Sequence, residues 1–280
     1  MVFGQQQSMF FQANYPFRPT YTKNKRICGV NQKVAYSGLN QPINQTINKY
    51  IFGYGSFQSF TSITRTVLDI KDDEGDIDSL TRILVNGTSL MKESLEYKKK
   101  IQVARVKNMK RGWYFNIDRK NNKITKSLTV LGASRISGFT TNGTLFPVTE
   151  EELEKIDKRE GGYTRLEISV NDIEIIRGDG IPTNSIIYFY SLDENKISEP
   201  TIECPLIQSY IDLCMSGCVQ IDELLGNTEY QYTKEFVEST YKWLNLDHWI
   251  NDRIYDRRPF IYVPQASVID FALNNFVIEQ

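Results

Sequence analysis

The residue types of this sequence direct any catalysis by the chain to carboxylates. Histidine occurs once, at His248, so a serine or cysteine nucleophile activated by histidine would have to use that single position. A zinc site formed by this histidine and the three cysteines Cys204, Cys214 and Cys218 would lack a Cys-x2-Cys pair, and cysteines four residues apart on an apolar helical pattern are typical of core packing. We therefore expect no metal site, and any proton transfer should rest on an aspartate or a glutamate.

Three segments place glycines beside polar or charged side chains. Residues 52–57 (FGYGSF) continue an apolar run and are typical of a buried strand that ends in a tight turn. Residues 111–113 (RGW) interrupt an alternating pattern, which predicts a turn between two strands. Residues 157–165 (DKREGGYTR) predict a helix end that presents a carboxylate just before two glycines. Because glycine lets a backbone approach other atoms closely, each segment is a candidate for contact with a small substrate.

In this order the segments resemble the gamma-glutamylcyclotransferase-like family, and the resemblance covers residues of about 49–200. Members of that family open with a strand and a Tyr-Gly-Ser loop, and they place the catalytic glutamate after a Leu-Asp-like helix end, before a glycine and a tyrosine. Tyr54-Gly55-Ser56 and Glu160 stand at the matching positions here. The sequence departs from the pattern at Phe57, where family loops often have Asn or Leu, and in a longer insertion at 69–100.

The resemblance implies a fold of the α+β class, a small mixed β-barrel with peripheral helices and a helical C-terminal tail. It implies a cofactor-free cyclotransferase, an enzyme of the lyase or acyltransferase type linked to glutathione metabolism, with a small γ-glutamyl substrate as its partner. Glu160 would be the catalytic general acid and base. The residues that would bind the substrate are Tyr54, Gly55, Ser56, Phe57 and Tyr163.

This chemistry suits the residue types at those positions. A γ-glutamyl amide cyclises when its own α-amine attacks the γ-carbonyl, so much of the acceleration can come from holding the chain in a folded conformation. The protein must then supply a proton acceptor, donors for the developing oxyanion and contacts for the α-carboxylate. Partial burial would raise the pKa of Glu160 and make it a better base. The backbone amides around Gly55 and Ser56 are the candidate donors.

Two other interpretations stay open at this point. Glu160 follows Lys158 and Arg159, and such a neighbourhood is also typical of an ordinary surface ion pair. The chain would then be a catalytically silent member of the same fold that serves as a binding or interaction module. An enzyme that cleaves larger γ-linked amides would differ mainly in the width of its pocket.

Composition and hydrophobic pattern divide the chain into three parts. Residues 1–48 are a Gln/Asn-rich extension, 49–200 carry the family resemblance, and 201–280 are predicted to be a helical tail that packs on that domain. A capping box predicts a helix that begins after Thr149, and a second helix capped by Thr233 is expected to run to residue 244. Arginines at 253, 257 and 258 are expected to anchor the tail through ion pairs.

Composition restricts the partners and the location. The 33 basic and 34 acidic side chains give a net charge of −1, so no global charge attracts nucleic acid or an anionic membrane. Four cysteines in 280 residues are too few for a secreted disulfide framework. No apolar run approaches the roughly 18–20 residues of a membrane span. We expect a cytoplasmic protein that binds neither nucleic acid nor membranes.

Overall fold

The computed structural model describes residues 48–67, 100–118, 127–226, 229–243, 248–254 and 265–277. The strands in this part of the chain are β1 (Lys49–Gly53), β2 (Gln102–Asp118), β3 (Ser127–Val148), β4 (Thr164–Ile168), β5 (Ile173–Arg177), β6 (Ile186–Ser191), β7 (Leu206–Ile207), β8 (Thr240–Tyr241) and β9 (Trp249–Ile250). The α-helices are α1 (Phe60–Val67), α2 (Glu150–Arg159), α3 (Gln208–Leu225), α4 (Tyr232–Glu238) and α5 (Ala266–Phe276). Short 3-10 helices lie at Ser56–Gln58, Val170–Asp172, Glu194–Lys196 and Asp252–Ile254. Most of the 1–48 extension and of the 69–100 insertion lies outside the described residues.

One mixed sheet organises the α+β fold. Its strands follow the order β4-β6-β1-β3-β2-β5, and β8 adds to β2. β1 pairs parallel with β6 on one side and antiparallel with β3 on the other, which places it in the middle of the sheet. The sheet begins at β4 and ends at β5 and β8, without a pairing that joins these edges in the described part of the chain. The α+β class is therefore found as predicted, but the small mixed β-barrel is not confirmed, because the sheet formed by the described residues does not close.

The predicted turn at residues 111–113 is wrong. Arg111, Gly112 and Trp113 lie inside β2 and pair with Ala133, Gly132 and Leu131 of β3. The two strands remain in register along most of their length, with irregularities between Lys107 and Met109 and between Trp113 and Phe115. Continuous pairing with β3 therefore overrides the local preference of glycine for a turn, and the tyrosine ring of residue 114 folds over Gly112, where a Cβ would lie 2.3 Å from it.

Helix α2 begins where its sequence predicts. The Thr149 side chain accepts a hydrogen bond from the Glu152 backbone N–H, and the Glu152 carboxylate accepts one from the Thr149 N–H. This capping box satisfies two N–H groups that the first turn would leave without partners. Leu153 and Ile156 form the buried stripe of the helix. The cap fixes where α2 begins and the stripe fixes which face is buried; the helix ends at Arg159, with Glu160 as the C-cap residue.

The C-terminal helices belong to the same hydrophobic core as the sheet. Ile211, Cys214 and Cys218 of α3 and Phe236 of α4 are fully buried in the cluster that also holds Ile51 of β1. The helix expected to run from Thr233 to residue 244 is shorter, because α4 begins after Gln231 and ends at Glu238. Of the three predicted anchoring arginines, Arg253 pairs with Asp212 and Asp270, while the other two lie outside the described residues.

Candidate functional site

The loop after β1 is held in one conformation by its own backbone and side chains. Gly53 ends the strand, and a Cβ there would lie 2.8 Å from the Phe57 Cβ and 2.9 Å from the Phe57 carbonyl oxygen. Only glycine therefore lets the chain fold back so closely. The Gly55 carbonyl accepts hydrogen bonds from the backbone N–H and the side-chain amide of Gln58, at 3.0 and 3.2 Å. These bonds use carbonyls, and the N–H groups of Gly55 and Ser56 have no acceptor among the described residues.

Glu160 lies at the end of α2, in the turn that leads to β4. Its N–H donates to the Ile156 carbonyl at 2.9 Å, and its own carbonyl accepts from the Tyr163 N–H at 2.9 Å, so the turn fixes the backbone on both sides. The side chain is 15% exposed. Burial raises the pKa of the Glu160 carboxyl, and the charge of Arg159 opposes that effect. Glu160 thus combines partial access to solvent with the raised pKa that a general base at neutral pH needs.

Arg159 joins the loop to Glu160. Its Nε lies 3.3 Å from a Glu160 carboxylate oxygen, and its Nη2 donates to the Ser56 hydroxyl at 2.9 Å. The guanidinium also lies over the Phe57 ring, at 4.4 Å from the ring centre. Ser56 and Glu160 are more than a hundred positions apart in the sequence, but they share this one side chain. The structure therefore brings the Tyr-Gly-Ser loop and the carboxylate into one place.

The charge of the carboxylate acts on four tyrosines: Tyr54, Tyr163, Tyr190 and Tyr210. Burial raises the hydroxyl pKa of each, and the charge of Glu160 adds to the rise in all four. The Tyr54 hydroxyl donates to the Tyr190 carbonyl at 2.6 Å, and the Tyr163 hydroxyl donates to the Leu131 carbonyl at 2.5 Å. Because these phenols stay protonated at neutral pH, they supply dipoles and no competing negative charge.

The predicted substrate-binding residues differ in what they present. Ser56 and Tyr163 are half-buried; the Ser56 hydroxyl is joined to Glu160 through Arg159, and the charge of Glu160 acts on the Tyr163 hydroxyl. Tyr54 and Gly55 are buried, and the Gly55 side that a Cβ would occupy faces Leu131 at 3.5 Å. Phe57 is buried against Phe146, with ring centres 5.9 Å apart. The Phe57 ring therefore belongs to the core, and the Arg159 guanidinium packs on it.

Residues that sequence reasoning did not assign to the site also shape it. Arg159 and Tyr190 belong here, as does Tyr210 of α3, and the last two come from elements far from the loop in the sequence. Asp157, one turn before Glu160, accepts a hydrogen bond from the Tyr190 hydroxyl at 2.7 Å. The only local signal for Tyr210 is its position four residues before Cys214 on the apolar stripe of α3, and that signal predicts burial without indicating a neighbour.

The loop rests on two further contacts. The fully buried Arg111 donates to the Tyr54 carbonyl at 3.2 Å, and its other acceptors lie in β3, α4 and the residues after α4. Helix α3 approaches from the other side at Gly217, where a Cβ would lie 2.5 Å from the Ser59 backbone nitrogen. A glycine in mid-helix costs about 1 kcal/mol relative to alanine, and here it permits a helix to contact the loop backbone directly.

Two further features concern all of the described residues, namely metal ligands and membrane-spanning helices. No group of three or more His, Cys, Asp or Glu side chains in this part of the chain is placed to hold a metal ion. No helix in the same part is both long enough and apolar enough to cross a membrane.

No family model matches the sequence, and no curated protein matches it. Solved gamma-glutamyl cyclotransferases are among the structures that this chain resembles. One is 13% identical, covers 80% of this chain and 99% of its own length, and has a TM-score of 0.40. Another, a yeast gamma-glutamyl cyclotransferase specific to glutathione, is 10% identical over 69% of this chain and 96% of its own, with a TM-score of 0.34.

An uncharacterized protein from Homo sapiens is also similar, with 13% identity over 80% of this chain and 98% of its own, at a TM-score of 0.41. Solved structures similar to this chain thus include members of the family that the sequence motifs resemble, the gamma-glutamyl cyclotransferases.

Proposed function

We propose that this protein is a cofactor-free γ-glutamyl cyclotransferase in which Glu160 transfers the proton. The observation that carries the proposal is the Glu160 carboxylate itself. It is 15% exposed, its pKa is raised by burial, and it shares Arg159 with Ser56 of the loop. Such a carboxylate can accept a proton at neutral pH from a substrate held between the loop and the end of α2.

The reaction needs no water and no second reactant. The substrate's α-amine forms a bond to its own γ-carbonyl carbon, and the bond from that carbon to the departing amine breaks. Glu160 takes the proton that the attacking nitrogen loses and returns it to the departing nitrogen. The products are 5-oxoproline and a free amine, so atoms and charges balance. The protein contributes mainly by holding the five-membered-ring geometry, which can replace a large part of the entropic barrier.

The negative charge that develops on the γ-carbonyl oxygen needs hydrogen-bond donors. The N–H groups of Gly55 and Ser56, which have no acceptor among the described residues, are the candidates. The loop that presents them is tied by Gln58, by Arg111 and by the close approach of Gly53 to Phe57. Because these contacts fix the donors before the substrate binds, little reorganisation is needed during the reaction.

The experiment is a panel of γ-glutamyl amines, amino acids and peptides, glutathione among them, analysed by mass spectrometry for both products. We expect 5-oxoproline and the free amine in equal amounts from at least one compound. The same compound with its α-amine acetylated is the matched control, because it cannot cyclise. Release of glutamate in place of 5-oxoproline would mean hydrolysis, and failure of the whole panel would contradict the proposal.

The alternative is a silent member of the same fold that binds a ligand or a partner. The contact that favours it is the Arg159–Glu160 pair, since the carboxylate already has an opposite charge 3.3 Å away. In that case no compound of the panel would be turned over by the wild-type protein. Binding of an intact γ-glutamyl compound, measured by calorimetry and lost in Ser56→Trp, would then identify the binding module.

A further inference from the structure

We propose that Arg159 is a positioning residue that holds the Glu160 carboxylate ionised and aligned against the Ser56 loop. This inference rests on the proposed function, because it assigns Arg159 a role in the work of the Glu160 base. Arg159 is adjacent to that base, and the motif that points to Glu160 does not assign it a role. The proposed role is inferred from the contacts of the Arg159 guanidinium with three separate elements of the fold.

The guanidinium is fully engaged. An arginine has five N–H groups, in a planar fork. Nη2 donates to the hydroxyls of Ser56 and Ser62, at 2.9 and 3.1 Å. Nη1 donates to the Ser62 carbonyl at 3.3 Å and to the Thr66 hydroxyl. Nε remains for Glu160, at 3.3 Å. The loop, helix α1 and the end of α2 are therefore connected through one rigid group.

The charges of these partners are as informative as their geometry. Every acceptor other than Glu160 is a hydroxyl or a carbonyl, so none of them neutralises the guanidinium. Among its partners in the described part of the chain, Glu160 is the one that carries a negative charge. A surface arginine held only by ion pairing would be expected to exchange partners freely. Here neutral hydrogen bonds and the Phe57 ring, 4.4 Å away, hold the charge in place.

The other groups that face Glu160 do not provide this charge. Tyr54 in the loop, Tyr163 in the turn, Tyr190 on β6 and Tyr210 on α3 remain neutral, since burial raises the pKa of each phenol. The Asp157 carboxylate, one turn earlier on α2, is paired with Arg165. Among the described residues, Arg159 is thus the positive charge that favours ionised Glu160.

The sign of the expected pH effect follows directly. A base works only when deprotonated, so kcat/KM falls as the pH drops below the pKa of Glu160. Burial raises this pKa and Arg159 lowers it. Removal of the Arg159 charge should therefore move the acid limb of the kcat/KM profile to higher pH. At high pH, Glu160 is ionised in either case, and the variant should recover most of its activity.

The experiment compares Arg159→Gln with Arg159→Lys, and Lys158→Gln is the matched control because it removes the exposed neighbouring charge. We expect Arg159→Gln to lose about tenfold in kcat/KM at pH 6 and less than about threefold at pH 9. Arg159→Lys keeps the charge, so its acid limb should stay near that of the wild type. Equal losses in both variants at every pH would overturn the proposal, because only packing would then matter.

A second measurement does not depend on turnover. In protein carrying ¹³C-labelled glutamate, NMR can follow the titration of the Glu160 carboxyl, with the signal assigned through Glu160→Gln. We expect its midpoint to rise in Arg159→Gln and to stay unchanged in Lys158→Gln. An unchanged midpoint in Arg159→Gln would refute the role of Arg159. A raised midpoint in a protein without turnover would support that role and would contradict the cyclotransferase instead.

Discussion

Two regions of the molecule hold a carboxylate against an arginine, and they do so in opposite ways. On one face of α3, Asp212 is 4% exposed and accepts three hydrogen bonds, two from Arg253 at 2.5 and 2.7 Å and one from Gln208 at 2.9 Å. At the end of α2, Glu160 is 15% exposed, and its one charged partner among the described residues is the Arg159 Nε at 3.3 Å. The first carboxylate is saturated with donors, and the second is not.

The difference matches a structural role for Asp212 and the proposed role of a base for Glu160. A carboxylate that accepts several strong hydrogen bonds is stabilised in its charged form and is a poor base. The Asp212–Arg253 pair also holds the Arg253 pKa above its ordinary value, as expected for a tight bidentate contact. In the part of the chain that the structure describes, Glu160 has no such set of donors, and burial raises its pKa. A carboxylate–arginine pair therefore anchors the C-terminal segment in one place, and in the proposed function a second such pair supplies the proton acceptor.

The largest expected effect on stability comes from Arg253. We predict that Arg253→Met lowers the free energy of unfolding by about 3 kcal/mol, since it leaves the buried Asp212 charge without its main partner. Arg159→Met should cost no more than about 1 kcal/mol, because water can reach a side chain that is 31% exposed. Urea unfolding followed by circular dichroism measures both values.

The double variant Asp212→Leu with Arg253→Met is the control for this comparison. Replacement of both partners of a buried pair by apolar side chains is often close to neutral, so it should recover much of the lost stability. Equal destabilisation by the Arg253 and Arg159 single variants would mean that the two regions do not differ as described.

A smaller effect should come from Gly217, on the helix that carries Asp212. A Cβ there would lie 2.5 Å from the Ser59 backbone nitrogen and 2.7 Å from the Gln58 carbonyl carbon, so the helix and the loop must separate. We predict that Gly217→Ala lowers the free energy of unfolding by about 1–3 kcal/mol and also reduces turnover. Ser216→Ala, the neighbour on α3, should leave both unchanged.

Thermal unfolding and the 5-oxoproline assay check this prediction together. A Gly217→Ala protein as stable and as active as the wild type would show that the loop does not depend on the approach of α3. A protein that lost stability and kept full turnover would separate the packing of the helix from the geometry of the site.

Local features of the fold could be predicted from the sequence, because their causes are local. The capping box at Thr149 sets the start of α2, and the run 50–52 predicts the central strand β1. The buried cysteines of α3 follow from helical periodicity. The turn predicted at Gly112 is wrong, because the conformation there is set by pairing with β3. That strand is distant in the sequence, and the local preference of glycine carries no information about it. Closure of the sheet likewise depends on which edges meet.

Some residues of the candidate site could be predicted from the sequence, and others could not. The motif resemblance points to Glu160 and to the Tyr54-Gly55-Ser56 loop, and the structure brings them together. The direction of the Arg159 side chain could not be predicted, because its acceptors Ser56, Ser62 and Thr66 lie about a hundred positions away. Tyr190 and Tyr210 reach the site through strand pairing and helix packing, and neither carries a sequence signal for a neighbour so distant.

The proposed cyclotransferase mechanism depends most directly on the Glu160 carboxylate. The measurement is the rate of 5-oxoproline release by Glu160→Gln and by Glu154→Gln, an exposed glutamate on the same helix. The amide has nearly the same shape as the carboxylate and cannot accept the proton, so Glu160→Gln should fold normally and lose at least about a thousandfold in kcat, within the range of general base catalysis. Glu154→Gln should match the wild type. Substantial turnover by a folded Glu160→Gln protein would contradict the assignment of the base.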